Sequence, residues 1–182
     1  VVKDGNFVKL LLASKEGVFK DTLNAETGSY MLYDGKESTG VFFKNGYDLV
    51  LKVDAKQFDE TIVYSGKGAE ASNFLAKYAL ENEKYDYQSL LKSSTVEEFD
   101  GKLDKKYKAD LLQLESAKLD ADFVKIFKTE LEQGSVGIKE YFEGQLALGK
   151  LNGQQSPNFE FENHKGGKTK LEDLRGKYVY ID

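Results

Sequence analysis

The apolar residues of this 182-residue chain change their spacing once, near Gly68, and that change dictates which elements can form on either side of it. Before Gly68 the apolar runs are short and alternate with a period of two, as half-buried strands require. The clearest run is 47–53, where Tyr47, Leu49, Leu51 and Val53 alternate with Asp48, Val50 and Lys52 and direct one face inward. Similar runs occupy residues 7–13, 18–23, 30–33, 41–43 and 61–64. Between them stand Glu16-Gly17, Thr27-Gly28, Asp34-Gly35 and Asn45-Gly46, dipeptides suited to hairpin turns. Six strands without intervening helices predict an antiparallel β domain over residues 1–67, a small sandwich or open barrel.

After Gly68 the spacing becomes helical. Ala71, Phe74, Leu75, Tyr78 and Ala79 fall on one stripe of a helix about four turns long. Thr95 and Glu98 stand at capping-box spacing, and Phe99, Leu103, Tyr107, Leu111 and Leu114 continue as the inward side of a second helix. A third begins near Asp122 with Phe123, Ile126, Phe127 and Leu131. Gly134 and Gly137 are expected to weaken or interrupt it before Ile138, Tyr141, Phe142 and Leu146 resume the stripe. Residues 68–150 are thus expected to hold three or four helices.

From Leu151 the texture changes again, through Asn152-Gly153-Gln154-Gln155-Ser156-Pro157, which holds the only proline. Phe159 and Phe161 then alternate as in a strand. A Lys165-Gly166-Gly167-Lys168 turn follows, then a helical turn around Leu171 and Leu174 and an apolar strand over 177–181. A single apolar strand cannot bury its own two faces, so residues 151–182 read as the opening of a further domain. The fold class is α+β.

Composition excludes several functions. A net charge of −5 sets a field that repels a phosphate backbone, so nucleic acid is not an expected partner. No apolar run approaches the roughly 20 residues of a membrane span. The chain opens at Val1 with neither an initiator Met nor an apolar leader, as at a processed or cloned boundary. With no Cys and one His, neither a thiolate nucleophile nor a transition-metal site is expected, and no cofactor is assigned.

Few residues invite a chemical reading. His164, in the polar stretch Asn163-His164-Lys165-Gly166, reads as an exposed turn residue. Gly66-Lys67-Gly68 has the glycines and lysine of a phosphate loop, but Gly68 stands where Ser or Thr would follow the lysine, so a strand-to-helix turn is the simpler reading. Tyr30, Tyr33, Phe42, Phe43 and Tyr47 suit either core packing or a ligand platform. Asp104-Lys105-Lys106 with Lys108 reads as a solvated helix face.

Ser156-Pro157-Asn158-Phe159, Gly166-Gly167-Lys168-Thr169, Leu171, Leu174 and the closing run Gly176-Lys177-Tyr178-Val179-Tyr180-Ile181-Asp182 together resemble the entry of the thioredoxin-like redoxins of the TlpA and peroxiredoxin type. Asn158 departs from that family's usual acidic residue and Glu172 from a common serine. Phe58-Asp59-Glu60-Thr61-Ile62, Gly66-Lys67-Gly68-Ala69 and Asn73-Phe74-Leu75 resemble the region that precedes the redoxin domain in TlpA-like oxidoreductases of Bacteroidetes-type bacteria.

The resemblance implies a β domain (1–67), a helical region (68–150) and the start of a thioredoxin-like domain (151–182), cut before its Cys-x-x-Cys. Asp182 would match the buried acid ahead of that motif. The implied function is a non-catalytic N-terminal module, inactive alone, of a thiol-disulfide oxidoreductase in the periplasm or cell envelope. The module would position the redoxin domain, whose partners are protein thiols or disulfides. Self-association and an upstream lipid anchor are compatible with it. The alternative is a stand-alone β-sandwich module that binds glycan or protein and has no redox role.

Overall fold

The computed structural model describes residues 1–179. The chain forms two compact units, Val1–Phe142 and Glu143–Asp182. Its class is α+β, with antiparallel strands and a run of helices.

In the first unit, β1 (Val2–Lys3), β2 (Asn6–Phe7), β3 (Gly28–Tyr33) and β4 (Ser38–Phe43) make one sheet in the order β2-β1-β3-β4. β5 (Asp48–Lys52) and β6 (Val63–Lys67) make a two-stranded ribbon. The pairing of Tyr30 with Val41 and of Ser29 with Phe42 sends Tyr30 and Val41 to one face and Phe42 to the other. Tyr30 and Val41 join Phe58, Ile62 and Tyr64 in a first core, to which Leu49 and Leu51 of the ribbon add their inward sides. Phe42 enters a second core with Phe74, Leu114, Phe123 and Phe127.

Helix α2 (Ala69–Glu83) closes both sheets at their edges. β4 is an edge strand, and its exposed backbone groups need partners other than another strand. The Phe42 N–H donates to Ser72 Oγ at 3.1 Å, and the Gly40 carbonyl accepts from the Tyr64 hydroxyl at 3.0 Å. On β6, Asn73 accepts from the Tyr64 N–H at 2.9 Å and donates to the Tyr64 carbonyl at 2.8 Å. Both cores therefore draw on residues from either side of Gly68, so the strands and the helices up to Phe142 share one unit.

Helix α3 (Tyr87–Leu91) is capped by Asp86, whose side chain accepts from the Ser89 N–H. Helix α4 (Val96–Ser116) opens at Thr95, whose hydroxyl accepts from the Glu98 N–H at 3.2 Å. The Glu98 carboxylate reaches back one residue further than a standard capping box, to the Ser94 N–H. Helix α5 (Ala121–Gly149) runs for 29 residues, about 43 Å. The Phe99 and Phe142 rings stack at 4.0 Å and join α4 to α5.

Several expected elements differ. Residues 7–13 and 18–23 are not strands beyond Phe7. They form a strap in which Leu12 and Val18 are 79% and 66% exposed and whose backbone bonds within itself, the Ser14 N–H to the Val18 carbonyl, because alternation alone does not pair a segment with a sheet edge. A one-turn helix, α1 (Phe58–Thr61), interrupts the strands before Gly66 and takes up the start of the run expected at 61–64. It forms because the Asp54 carboxylate turns the chain by accepting from the Lys56 N–H, and because Phe58 and Ile62 reach the first core at a spacing of four. Gly134 and Gly137 leave α5 continuous, and Tyr141 is 56% exposed instead of lying inward.

The second unit begins within the last turns of α5. It holds the hairpin β7 (Glu160–Glu162) and β8 (Lys168–Lys170) and a 3-10 turn, Leu171–Leu174, as the residue pattern predicts. Lys177, Tyr178 and Val179 do not form a strand, and the rest of the strand expected over 177–181 lies outside the described residues.

Candidate functional site

The residues singled out from the sequence do not converge. Asp182 lies outside the described residues. His164 is exposed in the β7–β8 turn, which Asn163 builds by accepting the N–H groups of Lys165 and Gly167 at 3.0 and 3.3 Å. Gly66 and Gly68 have a packing role: a Cβ on Gly66 (φ +92°) would lie 2.1 Å from the Asp48 carbonyl oxygen, and one on Gly68 (φ +89°) 2.2 Å from the Tyr47 ring. Of the five aromatics considered as a platform, Tyr30 and Phe43 belong to the first core, Phe42 and Tyr47 to the second, and Tyr33 alone is mainly exposed. They present no common surface.

In the second unit, the Phe159 and Phe161 rings stack at 5.2 Å. Lys168 pairs with Glu160 across the hairpin at 2.7 Å, and the Leu171 N–H donates to the Phe159 carbonyl at 3.1 Å. No residue between 143 and 179 is buried, and Phe161 is 67% exposed. The hairpin has the polar bonding of a formed element without a core of its own.

Two features of the first unit were not legible from the sequence. The first is a cleft of about 1100 Å³ between the inward face of β3–β4 and the β5–β6 ribbon. Leu32, Val41 and Phe43 line one side, Leu49 and Leu51 the other, and Leu11, Val18, Phe19 and Leu23 of the strap border it. The strap is fastened at its base, where the Lys9 ammonium contacts Asp21 at 2.7 Å and donates to the Thr22 carbonyl at 2.9 Å. That ammonium, followed by the Thr22 N–H, holds the Asp21 carboxyl below the usual carboxylate range. At the strap's tip the Ser14 N–H donates to the Val18 carbonyl at 2.8 Å. Lys44, on the rim, lies between Asp122 at 2.7 Å and Asp120 at 2.9 Å, and these carboxylates raise its pKa well above the ordinary lysine value.

The second feature is a polar cluster between α2 and α4, beside a depression of about 280 Å³. Lys106 contacts Asp110 at 2.6 Å with both side chains nearly buried, and Asp110 also accepts from the Tyr78 hydroxyl at 3.1 Å. The ammonium stands 5.2 Å from the centre of the Tyr78 ring and 5.3 Å from that of Tyr85, a cation–π sandwich. Burial, then the Asp110 charge, pushes the Tyr78 phenol far up. Charge and donors are matched within the cluster, so it fastens two helices and offers no activated nucleophile.

The cleft is walled by apolar side chains, and Phe161 of the hairpin is exposed. The chain matches no protein-family model, no curated protein and no solved structure.

Proposed function

We propose that this chain is the non-catalytic N-terminal module of a cell-envelope thiol-disulfide oxidoreductase, and that residues 151–182 are the entry of the thioredoxin-like domain it positions. One observation carries the reading. The hairpin and 3-10 turn stand in the order that the redoxin-like residues require, yet none of residues 143–179 is buried. Two three-residue strands bury too little apolar area to be stable alone, so this unit needs a body to complete it. In this reading the four-stranded sheet and the ribbon are the β-sandwich ahead of the redoxin domain, and the helices set its distance and orientation. Protein thiols or disulfides are the partners of the completed domain. The chemistry belongs to a Cys-x-x-Cys at a helix N-terminus, where the macrodipole and free N–H groups favour a thiolate and exchange runs through a mixed disulfide. With no cysteine, the present chain contributes position and not reaction.

The test is the coding sequence after codon 182, together with insulin reduction by its product. A Cys-x-x-Cys soon after Asp182, with turnover by the longer product and none by the 182-residue chain, is the expected result. A continuation without the motif, or turnover by the chain lacking cysteine, would contradict it.

A further inference from the structure

We infer that Asn152 is a site of self-deamidation, in which the backbone nitrogen of Gly153 closes on the Asn152 side-chain amide, while the fold spares the same dipeptide at Asn45-Gly46. The inference is independent of any redox role. The sequence holds these two Asn-Gly pairs, and Asn45 and Asn152 are both exposed. The residue after the asparagine supplies the attacking nitrogen, and a glycine there has no side chain to crowd it. The other asparagines precede Phe, Ala, Glu or His. The step needs only the chain and water. The Gly153 nitrogen bonds to Asn152 Cγ, the side-chain nitrogen leaves as ammonia with the displaced proton, and a cyclic imide remains. Water then opens the imide at either carbonyl. One opening gives Asp, and the other gives an isoaspartyl link with an added backbone methylene between α5 and β7. Both add a negative charge.

Both pairs stand in hydrogen-bonded turns with the glycine at positive φ, +87° at Gly46 and +77° at Gly153. The Tyr47 N–H donates to the Lys44 carbonyl and the Gln154 N–H to the Leu151 carbonyl, each at 3.0 Å. Such a turn fixes the backbone about its asparagine, so it must open before the imide can close. The two turns differ in what holds them. Lys44 is gripped by Asp120 and Asp122, and Tyr47 packs in the second core, its ring centre 6.3 Å from that of Phe42. Opening at Asn45 therefore disturbs a core. Residues 151–154 are all exposed, no residue from 143 to 179 is buried, and a Cβ on Gly153 would meet nothing within 4 Å. Opening at Asn152 is local and costs little.

The test holds the whole 182-residue chain in mildly alkaline buffer, native and in denaturant, and follows both sites by peptide mass spectrometry with fragmentation that separates Asp from isoaspartate. In the native chain Asn152 is expected to convert about tenfold faster than Asn45, the ratio set by the difference in opening cost. In denaturant, where neither turn is held, the two rates should agree to within about twofold. Gly153→Leu, which crowds the nitrogen, should slow conversion at Asn152 by about tenfold in denaturant, where native turn strain plays no part. Equal native rates would overturn the inference, as would an Asn152 that converts in denaturant and not in the native chain. A difference between the sites that persists undiminished in denaturant would remove the role of the fold, and an unchanged rate in Gly153→Leu would remove that of the glycine nitrogen.

Discussion

Ser72 and Asn73 do for two strand edges what a neighbouring strand does inside a sheet, and two adjacent polar side chains at the start of a helix are enough for it. Ser72 is fully buried, so Ser72→Ala leaves the Phe42 N–H without an acceptor in a dry site. A loss of about 1–3 kcal/mol is expected by chemical denaturation, and a loss below a few tenths would show that another acceptor replaces Ser72. The Tyr64 hydroxyl donates to Gly40, and burial pushes its phenol up to about 12 from the ordinary 10.0. The folded state therefore holds this proton more tightly than the unfolded chain. Its stabilisation is full below about pH 10 and is lost as pH rises through about 12. Denaturation midpoints followed over that window should fall less steeply for Tyr64→Phe than for the parent, by the share of one proton; equal slopes would mean that Tyr64 titrates normally.

At the level of elements, the residue pattern carries as far as the local signal is self-sufficient. α4 begins at Thr95 as its cap predicts, and β5 lies within the alternating run 47–53. The strap's alternation reports which faces can be buried and does not make its segments pair with a sheet. α1 leaves no periodic signal, because its four residues and cap hold a single helical pair, Phe58 and Ile62. The cleft is an absence of packing between two faces that are each correctly apolar, and no single segment encodes it. In α5, Phe123, Phe127 and Phe142 pin the helix on both sides of its glycines, and this outweighs the propensity cost of Gly134 and Gly137. A methyl group at either position would meet nothing within 4 Å. Gly134→Ala and Gly137→Ala should therefore each stabilise the chain by about 0.5–1 kcal/mol, seen as a raised melting temperature. A destabilising result would mean that a surface packs closely against that face.

For the molecule as a whole, the division at Phe142 separates a unit with two cores from one with none among its described residues. The hairpin of β7 and β8 and the 3-10 turn at Leu171–Leu174 were legible in the sequence. That the β and helical stretches share their cores was not, because it depends on which face of β4 meets α2. In the proposed function, residues 154–182 belong to the fold of another domain and not to that of the first unit. Thermal unfolding of the chain with and without those residues, in samples shown to be monomeric by light scattering, tests it most directly. The same melting temperature to within about 1 °C is expected, since none of the described residues removed is buried. A loss of several degrees on deletion would place the hairpin in the core of this fold and contradict the redoxin-entry reading.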